Sequence, residues 1–282
     1  MDDRWVRRTT RLVALLGLFT TVAAMAQPAS FAMDTESVEI AGTAEQVDIY
    51  RPAVESPAGI AIVAHGFARS RARHRDLGRA LAEAGVTVVI PDLPNVMDHW
   101  GNGDAVVDLV HQLEAGALGM PPVERSRIVL IGTSAGGLAT VLAAARVPGI
   151  AGWIGLDPVD RTGTGVDAAA QFTSPAVVLI GGGSPCNLFG SGRTIARALP
   201  HLLRSTVYPD ASHCDFEGPT NNLCRTLCGK SSSEMQERIR GETVRATLEM
   251  LQASPMHMDH APEAHAVDPV AAPHTAENRL GP

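Results

Sequence analysis

Short apolar runs recur along the chain and alternate with longer segments of helical periodicity. The runs predict buried strands, because a strand that is covered on both faces shows no polar alternation. We expect these strands at 59–64, 87–90, 127–131, 151–156, 176–181 and 204–208, and helices at 74–84, 104–118, 138–146, 192–199 and 232–251. Strands that alternate with helices predict right-handed crossovers and a mostly parallel sheet with its ligand site at the carboxyl ends of the strands.

Two earlier segments, 37–40 and 46–50, have a different pattern, with polar and apolar residues in alternation. Alternation is typical of strands with one face in water. We therefore predict an antiparallel hairpin at the edge of the sheet.

The two ends of the chain do not follow the pattern of a folded domain. Arginines precede an apolar run at 12–24, which is too short to span a bilayer, and Ala24-Met25-Ala26 follows. This arrangement predicts a signal peptide over 1–26, with an uncleaved membrane anchor as the alternative. The last segment, 255–282, is rich in Pro, Ala and His without apolar periodicity, which predicts a disordered tail. Residues 27–254 are then the single folded domain.

The length and apolar content of the chain agree with one large folded domain. The chain has 282 residues, 45% of them apolar, enough to bury a single large core. Without the predicted leader, its formal charge changes from −7 to −9. That charge argues against nucleic acid and against an anionic membrane surface as partners. We expect no stable membrane insertion after signal cleavage, and the sequence leaves the oligomeric state open.

All four cysteines lie in the part that would be exported. They are Cys186, Cys214, Cys224 and Cys228. An even number of cysteines in an oxidising compartment predicts two disulfides and a periplasmic or secreted protein, and three pairings are possible. Cys224 and Cys228 are spaced like metal ligands, but no second Cys or His pair accompanies them, so we expect no metal site.

A serine lies between one predicted strand and the next predicted helix. Gly132-Thr133-Ser134-Ala135-Gly136 has the form G-x-S-x-G, a tight turn that exposes the serine hydroxyl beside the N-terminus of a helix. This context predicts that Ser134 is a nucleophile. The backbone N–H of Ala135 would then be one of the two donors of an oxyanion hole.

A serine nucleophile needs a base and an acid that orients the base. His213 follows the last predicted strand and is the candidate base, in the chain order Ser, acid, His. Asp157 and Asp160 follow the strand after the serine helix, and we prefer Asp157 because it directly ends that strand. Asp160 is the alternative acid, and Asp210 and Asp215 also remain open.

Other strand ends supply candidates for the rest of the site. Phe67 follows the 59–64 strand and is predicted to give the second oxyanion donor. Trp100, Ser184 and Asn187 are candidate substrate-binding residues by the same position argument, as is Asn95. An arginine cluster, comprising Arg69, Arg71, Arg73, Arg75 and Arg79, is typical of a solvated face, with binding of a substrate carboxylate or phosphate as the alternative.

Three segments together resemble one family. GTSAGG at 132–137, IGLDPVD at 154–160 and HCDF at 213–216 are similar to α/β-hydrolases of the branch that contains chlorophyllases, dienelactone-hydrolase-like proteins and plasma platelet-activating-factor acetylhydrolases. The resemblance spans about 37–251 and implies the α/β-hydrolase fold, a mostly parallel sheet flanked by helices with a minimal cap. The LD at 156–157 supports Asp157 as the acid.

The chain also departs from these relatives. Chlorophyllases usually carry an Arg at the position of Ala135, and dienelactone hydrolases use a Cys at the position of Ser134. A long lipase lid has no counterpart in 161–173. The resemblance therefore implies hydrolysis of carboxylic esters through an acyl-enzyme, with no metal or organic cofactor.

We predict an exported serine ester hydrolase that acts on short- to medium-chain or accessible polymeric esters. Its partners would be small-molecule or polymeric ester substrates. A peptidase or amidase on the same three residues is one alternative. A non-catalytic binding protein on a hydrolase scaffold is the other.

Overall fold

The computed structural model describes residues 31–253, so the predicted signal peptide (1–26) and the predicted tail (255–282) lie outside the described residues. An eight-stranded sheet runs through this part of the chain in the order β1-β2-β4-β3-β5-β6-β7-β8. The strands are β1 Phe31–Ile40, β2 Thr43–Pro52, β3 Ile60–Ala64, β4 Thr87–Pro91, β5 Ile128–Thr133, β6 Gly152–Leu156, β7 Ala176–Gly181 and β8 Leu202–Tyr208. From β4 to β8 all neighbouring strands pair in parallel, whereas the β1–β2 hairpin and the β2–β4 pair are antiparallel. The predicted mostly parallel sheet with an antiparallel edge hairpin is confirmed.

Seven helices accompany the strands within 31–253. They are α1 Arg75–Glu83, α2 His99–Glu114, α3 Ala135–Ala144, α4 Thr164–Gln171, α5 Gly192–Ala198, α6 Asn222–Cys228 and α7 Ser233–Ala253. One apolar core joins α2, α3, α4 and α5 to one face of the sheet, and a second core joins α1 and α7 to the other face. The uninterrupted apolar runs of β3 to β7 follow from this arrangement, since both faces of those strands are covered.

Three segments differ from the sequence-based prediction. Helix α2 begins at His99 rather than near Asp104, because the side chain of Asp98 accepts a hydrogen bond from Gly101 N and caps the helix there. Segment 161–173 contains α4, which packs against α3 and α5. Helix α6 was not predicted, since its seven residues show too little periodicity. None of the helices within 31–253 is long and apolar enough to cross a membrane.

Candidate active site

The turn between β5 and α3 is strained in the way that a G-x-S-x-G turn requires. Ser134 has φ 56° and ψ −122°, a conformation that costs a non-glycine residue roughly 1–3 kcal/mol. Gly132 and Gly136 make the turn possible, because neighbouring atoms come so close to their Cα atoms that a side chain would not fit. A Cβ on Gly132 would lie 2.3 Å from Gly136 O, and one on Gly136 would lie 2.3 Å from His65 O. The turn exposes the Ser134 side chain at the carboxyl edge of the sheet.

Ser134, His213 and Asp157 form a chain of hydrogen bonds across three loops. His213 Nε2 lies 2.9 Å from Ser134 Oγ, and His213 Nδ1 lies 2.6 Å from Asp157 Oδ2. Asp157 is an acceptor only, so the proton of the neutral imidazole is on Nδ1 and Nε2 is the acceptor for the serine hydroxyl. Asp157 is completely buried, which keeps water from competing for its interaction with the imidazole.

Asp157 is held by two further donors. Gly181 N donates to Oδ1 at 2.9 Å, and Asn187 Nδ2 lies 3.2 and 3.1 Å from Oδ1 and Oδ2. The carboxylate therefore has partners on both oxygens, as a buried charge requires. Its backbone φ is 44°, in the left-handed region, and strand β6 ends at the residue before it, Leu156.

The alternative acids are placed elsewhere. Asp160 accepts hydrogen bonds from Thr162 N, Gly163 N and Val166 N, so it caps the turn before α4. Asp215 accepts from Ser212 N and Ser232 N, each at 2.8 Å, and joins the histidine loop to the start of α7. Among the acidic residues of 31–253, Asp157 is the one that contacts the imidazole of His213.

The loop after β3 lies directly against the serine. A Cβ on Gly66 would lie 3.1 Å from Ser134 Cβ, so the loop approaches closely only because this residue is glycine. His65 orients the peptide group between Gly66 and Phe67. Leu93 N donates to His65 Nε2 at 3.0 Å, which leaves the proton on Nδ1, 2.9 Å from Gly66 O. Burial also lowers the pKa of His65 and favours the neutral ring.

This hydrogen bond determines which way the Phe67 N–H points. In a trans peptide the C=O and the following N–H point to opposite sides. Because Gly66 C=O faces His65, Phe67 N–H faces away from His65. Ala135 is the first residue of α3, where backbone N–H groups have no acceptor within the helix. Phe67 follows Gly66, which lies against Ser134, and Ala135 follows Ser134 itself, so both N–H groups are candidate donors to an oxyanion beside the serine.

A salt bridge joins the loop after β3 to the histidine loop. Arg69 pairs with Glu217 through two hydrogen bonds, of which Nε–Oε1 is 2.6 Å, and Arg69 Nη1 also donates to Asn221 at 3.2 Å. Both side chains are largely buried, with 12% and 7% of their surfaces exposed. The prediction of a solvated arginine cluster is thus wrong for Arg69. Arg71 is likewise bonded to Asp48 and Asp92. The sequence signal for this pair was weak, since Glu217 is far from Arg69 in the chain.

The disulfides are Cys186–Cys228 and Cys214–Cys224. Cys214 follows His213 and Cys186 precedes Asn187, so both crosslinks start beside residues of the hydrogen-bonded chain. Both end on α6. The sulfurs of Cys214, Cys224 and Cys228 lie within 4.8 Å of one another, but each belongs to a disulfide and none is a free thiolate for a metal.

Comparison with known proteins rests on the fold alone. The sequence matches no protein-family model and no curated protein. Among solved structures, a dienelactone hydrolase from Anabaena variabilis ATCC 29413 superimposes with a TM-score of 0.60 and 18% identity, over 79% of this chain and 97% of that protein. A putative dienelactone hydrolase from Klebsiella pneumoniae subsp. pneumoniae MGH 78578 gives a TM-score of 0.57 and 16% identity, over 78% and 99%. The chain has the α/β-hydrolase fold.

The α/β-hydrolase fold explains why Ser134, Asp157 and His213 meet, since β5, β6 and β8 all end at one edge of the sheet. Three residues that were predicted to bind substrate, Asn187, Trp100 and Ser184, are not among those that line the cavity with Ser134 and His213. Asn187 is fully buried and its amide is occupied by Asp157 and Gly182 O, so the prediction that it binds substrate is wrong. Trp100 lies on α2 with its ring under the guanidinium of Arg146, 5.7 Å away. Ser184 is the N-cap of the short 3₁₀ turn Pro185–Asn187, and its N–H donates to the side chain of Asn187.

Proposed function

We propose that this protein is a serine hydrolase that cleaves carboxylic esters through an acyl-enzyme. The observation that carries the proposal is the continuous hydrogen-bonded chain from Ser134 Oγ through the His213 imidazole to the buried carboxylate of Asp157. A serine hydroxyl is a weak nucleophile by itself, and this chain gives it a base in the correct tautomer.

The proposed reaction begins with attack of Ser134 Oγ on the ester carbonyl carbon. The hydroxyl proton passes to His213 Nε2 as the new C–O bond forms, and Asp157 stabilises the resulting imidazolium. The carbonyl oxygen becomes an oxyanion, which the N–H groups of Phe67 and Ala135 would stabilise. Removal of one such donor typically costs about 10²–10³ in kcat.

Collapse of the tetrahedral intermediate breaks the ester C–O bond. His213 donates its proton to the leaving alkoxide, and the acyl group stays on Ser134. A water molecule then attacks the acyl-enzyme, with His213 taking one proton and returning it to Ser134 as the acid leaves. The chain's own groups handle every proton and electron pair in this scheme.

Export is the second part of the proposal. The two disulfides support it, because such crosslinks persist in oxidising compartments and are rare in the cytosol. The predicted signal peptide supports it as well. We infer a periplasmic or secreted enzyme, and the N-terminal sequence of the mature protein from the native host would test this by showing whether residue 27 is first.

A fluorophosphonate probe and two matched substrates test the mechanism. We expect the probe to label Ser134, 1-naphthyl acetate to be hydrolysed, and the corresponding amide, N-(1-naphthyl)acetamide, to be hydrolysed far more slowly. Ser134→Ala should abolish labelling. An amide preference would favour the peptidase alternative, and absence of both labelling and hydrolysis would favour the binding-protein alternative.

Paired variants test the acid. Asp157→Asn should lower kcat about 10⁴-fold, as expected when the imidazole loses the acid that fixes its tautomer. Asp160→Asn is the matched control, since it removes a carboxylate from the turn before α4 and should leave kcat within a few-fold of the wild type. The reverse order of effects would overturn the assignment of Asp157.

A further inference from the structure

Two cavities of unequal size lie on either side of the loop that carries Phe67. The larger has a volume of about 420 Å³ and is lined by Ser134, His213 and residues of α6. The smaller has a volume of about 50 Å³ and is lined by Ala135, Gly136 and five residues of the loop after β4 and of α2, namely Leu93, Asn95, Val96, His99 and Asn102. Both share residues 66–69 as a common wall. The serine turn is therefore flanked by one large and one small compartment.

The large cavity is apolar at its outer end. Leu223 and Leu227 of α6 line it together with Phe67, and all three residues are more than half exposed. A contiguous exposed apolar surface in a soluble domain usually marks a binding site. At the base of the cavity, Arg69 and Glu217 neutralise each other, so no free charge there favours a charged ligand.

Helix α6 is held in this position by covalent bonds rather than by a buried face. Of its seven residues, only Cys224 is buried. Cys224 is tied to Cys214 and Cys228 to Cys186. Leu223 and Leu227 are four residues apart and so lie on the same side of the helix. The disulfides thus hold Leu223 and Leu227 at the cavity. Without these two crosslinks, α6 would have no buried face to keep it in this position.

The small cavity has a polar end. Asn95, His99 and Asn102 line it. Two hydrogen bonds join the two asparagines: Asn95 N donates to Asn102 Oδ1 at 2.9 Å, and Asn102 Nδ2 donates to Asn95 O at 2.7 Å. Its volume is about one eighth of the other's. Only a short group fits there.

The direction of proton transfer assigns the two halves of an ester to these cavities. His213 must donate its proton to the leaving alkoxide, so the alcohol half lies beside His213. His213 lines the large cavity and is not among the residues that line the small one. The acyl half then points past Ala135, toward the small cavity.

On the basis of the proposed ester hydrolase function, we propose that the substrates are short-acyl esters of bulky apolar alcohols. The alcohol binds between Phe67 and the leucines of α6, and an acetyl or propionyl group occupies the small cavity. Leu223 and Leu227 then determine specificity for the alcohol.

Two isomeric esters test this assignment. Octyl acetate and ethyl octanoate have the same atoms and differ only in which half is long. We expect the wild type to cleave octyl acetate with at least tenfold higher kcat/KM, measured by titration of the released acid. Ethyl acetate provides the reference for a substrate that is short on both sides.

The test variant combines Leu223→Ser and Leu227→Ser in one protein. The single change Met97→Ser is the control. All three side chains are exposed, so the fold should persist, and Met97 lines neither cavity. The double variant should lose about tenfold in kcat/KM for octyl acetate, in the range that loss of apolar pocket contacts produces. Its kcat/KM for ethyl acetate should fall much less, because the ethyl group is short, and a small fluorophosphonate should still label Ser134. Met97→Ser should match the wild type with every substrate.

A preference for ethyl octanoate, or a double variant that loses activity on ethyl octanoate instead, would overturn the assignment while leaving the ester hydrolase function intact. An equal rate on both isomers with no effect of the double variant would also overturn it. Absence of hydrolysis of all three esters together with absence of labelling would instead reject the proposed function itself.

Discussion

Asn187 donates its side-chain amide to the carboxylate of Asp157, at 3.1 Å from Oδ2 and 3.2 Å from Oδ1. The same side chain accepts hydrogen bonds from Ser184 N and Gly190 N through Oδ1. One buried amide therefore holds the loop after β7 against the acid. The loop after β7 thus supplies no carboxylate itself, but its Asn187 holds the acid that follows β6.

Asn187→Ala should lower kcat about tenfold and leave KM nearly unchanged, because Asp157 would lose a donor and His213 would be less well oriented. The free energy of unfolding should fall by about 1–3 kcal/mol, the usual effect of leaving buried polar groups unpaired. Steady-state kinetics and urea unfolding would measure both quantities. Ser184→Ala, in the same turn, is the control and should stay near the wild type in kcat and KM. A wild-type kcat in Asn187→Ala would contradict the positioning role.

Glu217→Gln should destabilise the protein and reduce activity together. It would leave the charge of Arg69 buried without its partner, a change that typically costs about 3–5 kcal/mol. The loop that carries Phe67 would lose its salt bridge to the histidine loop, so kcat should fall as well. Thermal unfolding and ester hydrolysis at low temperature would separate the two effects.

The exposed Arg75–Asp76 pair, at 3.8 Å, provides the control for the buried one. Arg75→Gln should change stability by less than about 1 kcal/mol, as is usual for exposed pairs. A double variant, Arg69→Met with Glu217→Gln, should recover stability relative to Glu217→Gln alone, since no unpaired charge remains. If Glu217→Gln were as mild as Arg75→Gln, the pair would not hold the two loops together.

Stability should fall as the solution is acidified because of His74. This side chain is buried, its ring nitrogens have no hydrogen-bond partner within residues 31–253, and burial lowers its pKa from 6.5 to about 3. Between those two values the unfolded chain binds a proton that the folded chain does not. The free energy of unfolding should then decrease by up to about 1.4 kcal/mol per pH unit below pH 6.5.

His74→Leu should flatten that dependence, as measured by urea unfolding between pH 7 and pH 4. His111→Gln is the control, because His111 is exposed on α2, and it should keep the wild-type slope. An unchanged slope in His74→Leu would show that other groups cause the acid sensitivity.

The two disulfides should affect activity differently. Replacing Cys186 and Cys228 by Ser releases the end of α6 near Leu227, so activity on octyl acetate should fall while activity on ethyl acetate persists. Replacing Cys214 and Cys224 loosens the residue next to His213, so both activities should fall. Each removal should destabilise the protein by about 2–4 kcal/mol. Identical effects on the two esters from both pairs would contradict the separate roles.

The sequence by itself determined the elements that depend on local pattern. Apolar runs identified the central strands, because burial on both faces leaves no room for polar residues in them. The G-x-S-x-G turn between a strand and a helix identified Ser134, since its glycines are required by contacts within that turn. Chain order and strand ends placed Asp157 and His213 at the same edge.

Only the tertiary structure decided which side chains meet across that edge. It separated Asp157 from Asp160 through the hydrogen bonds that each carboxylate makes, and it selected one of three cysteine pairings. It also placed the side chain of Asn187 against Asp157 rather than in the substrate cavity. It also revealed α6 as a wall of the cavity. The physical reason is that these contacts join residues far apart in sequence, and their geometry depends on how the loops pack rather than on any local periodicity.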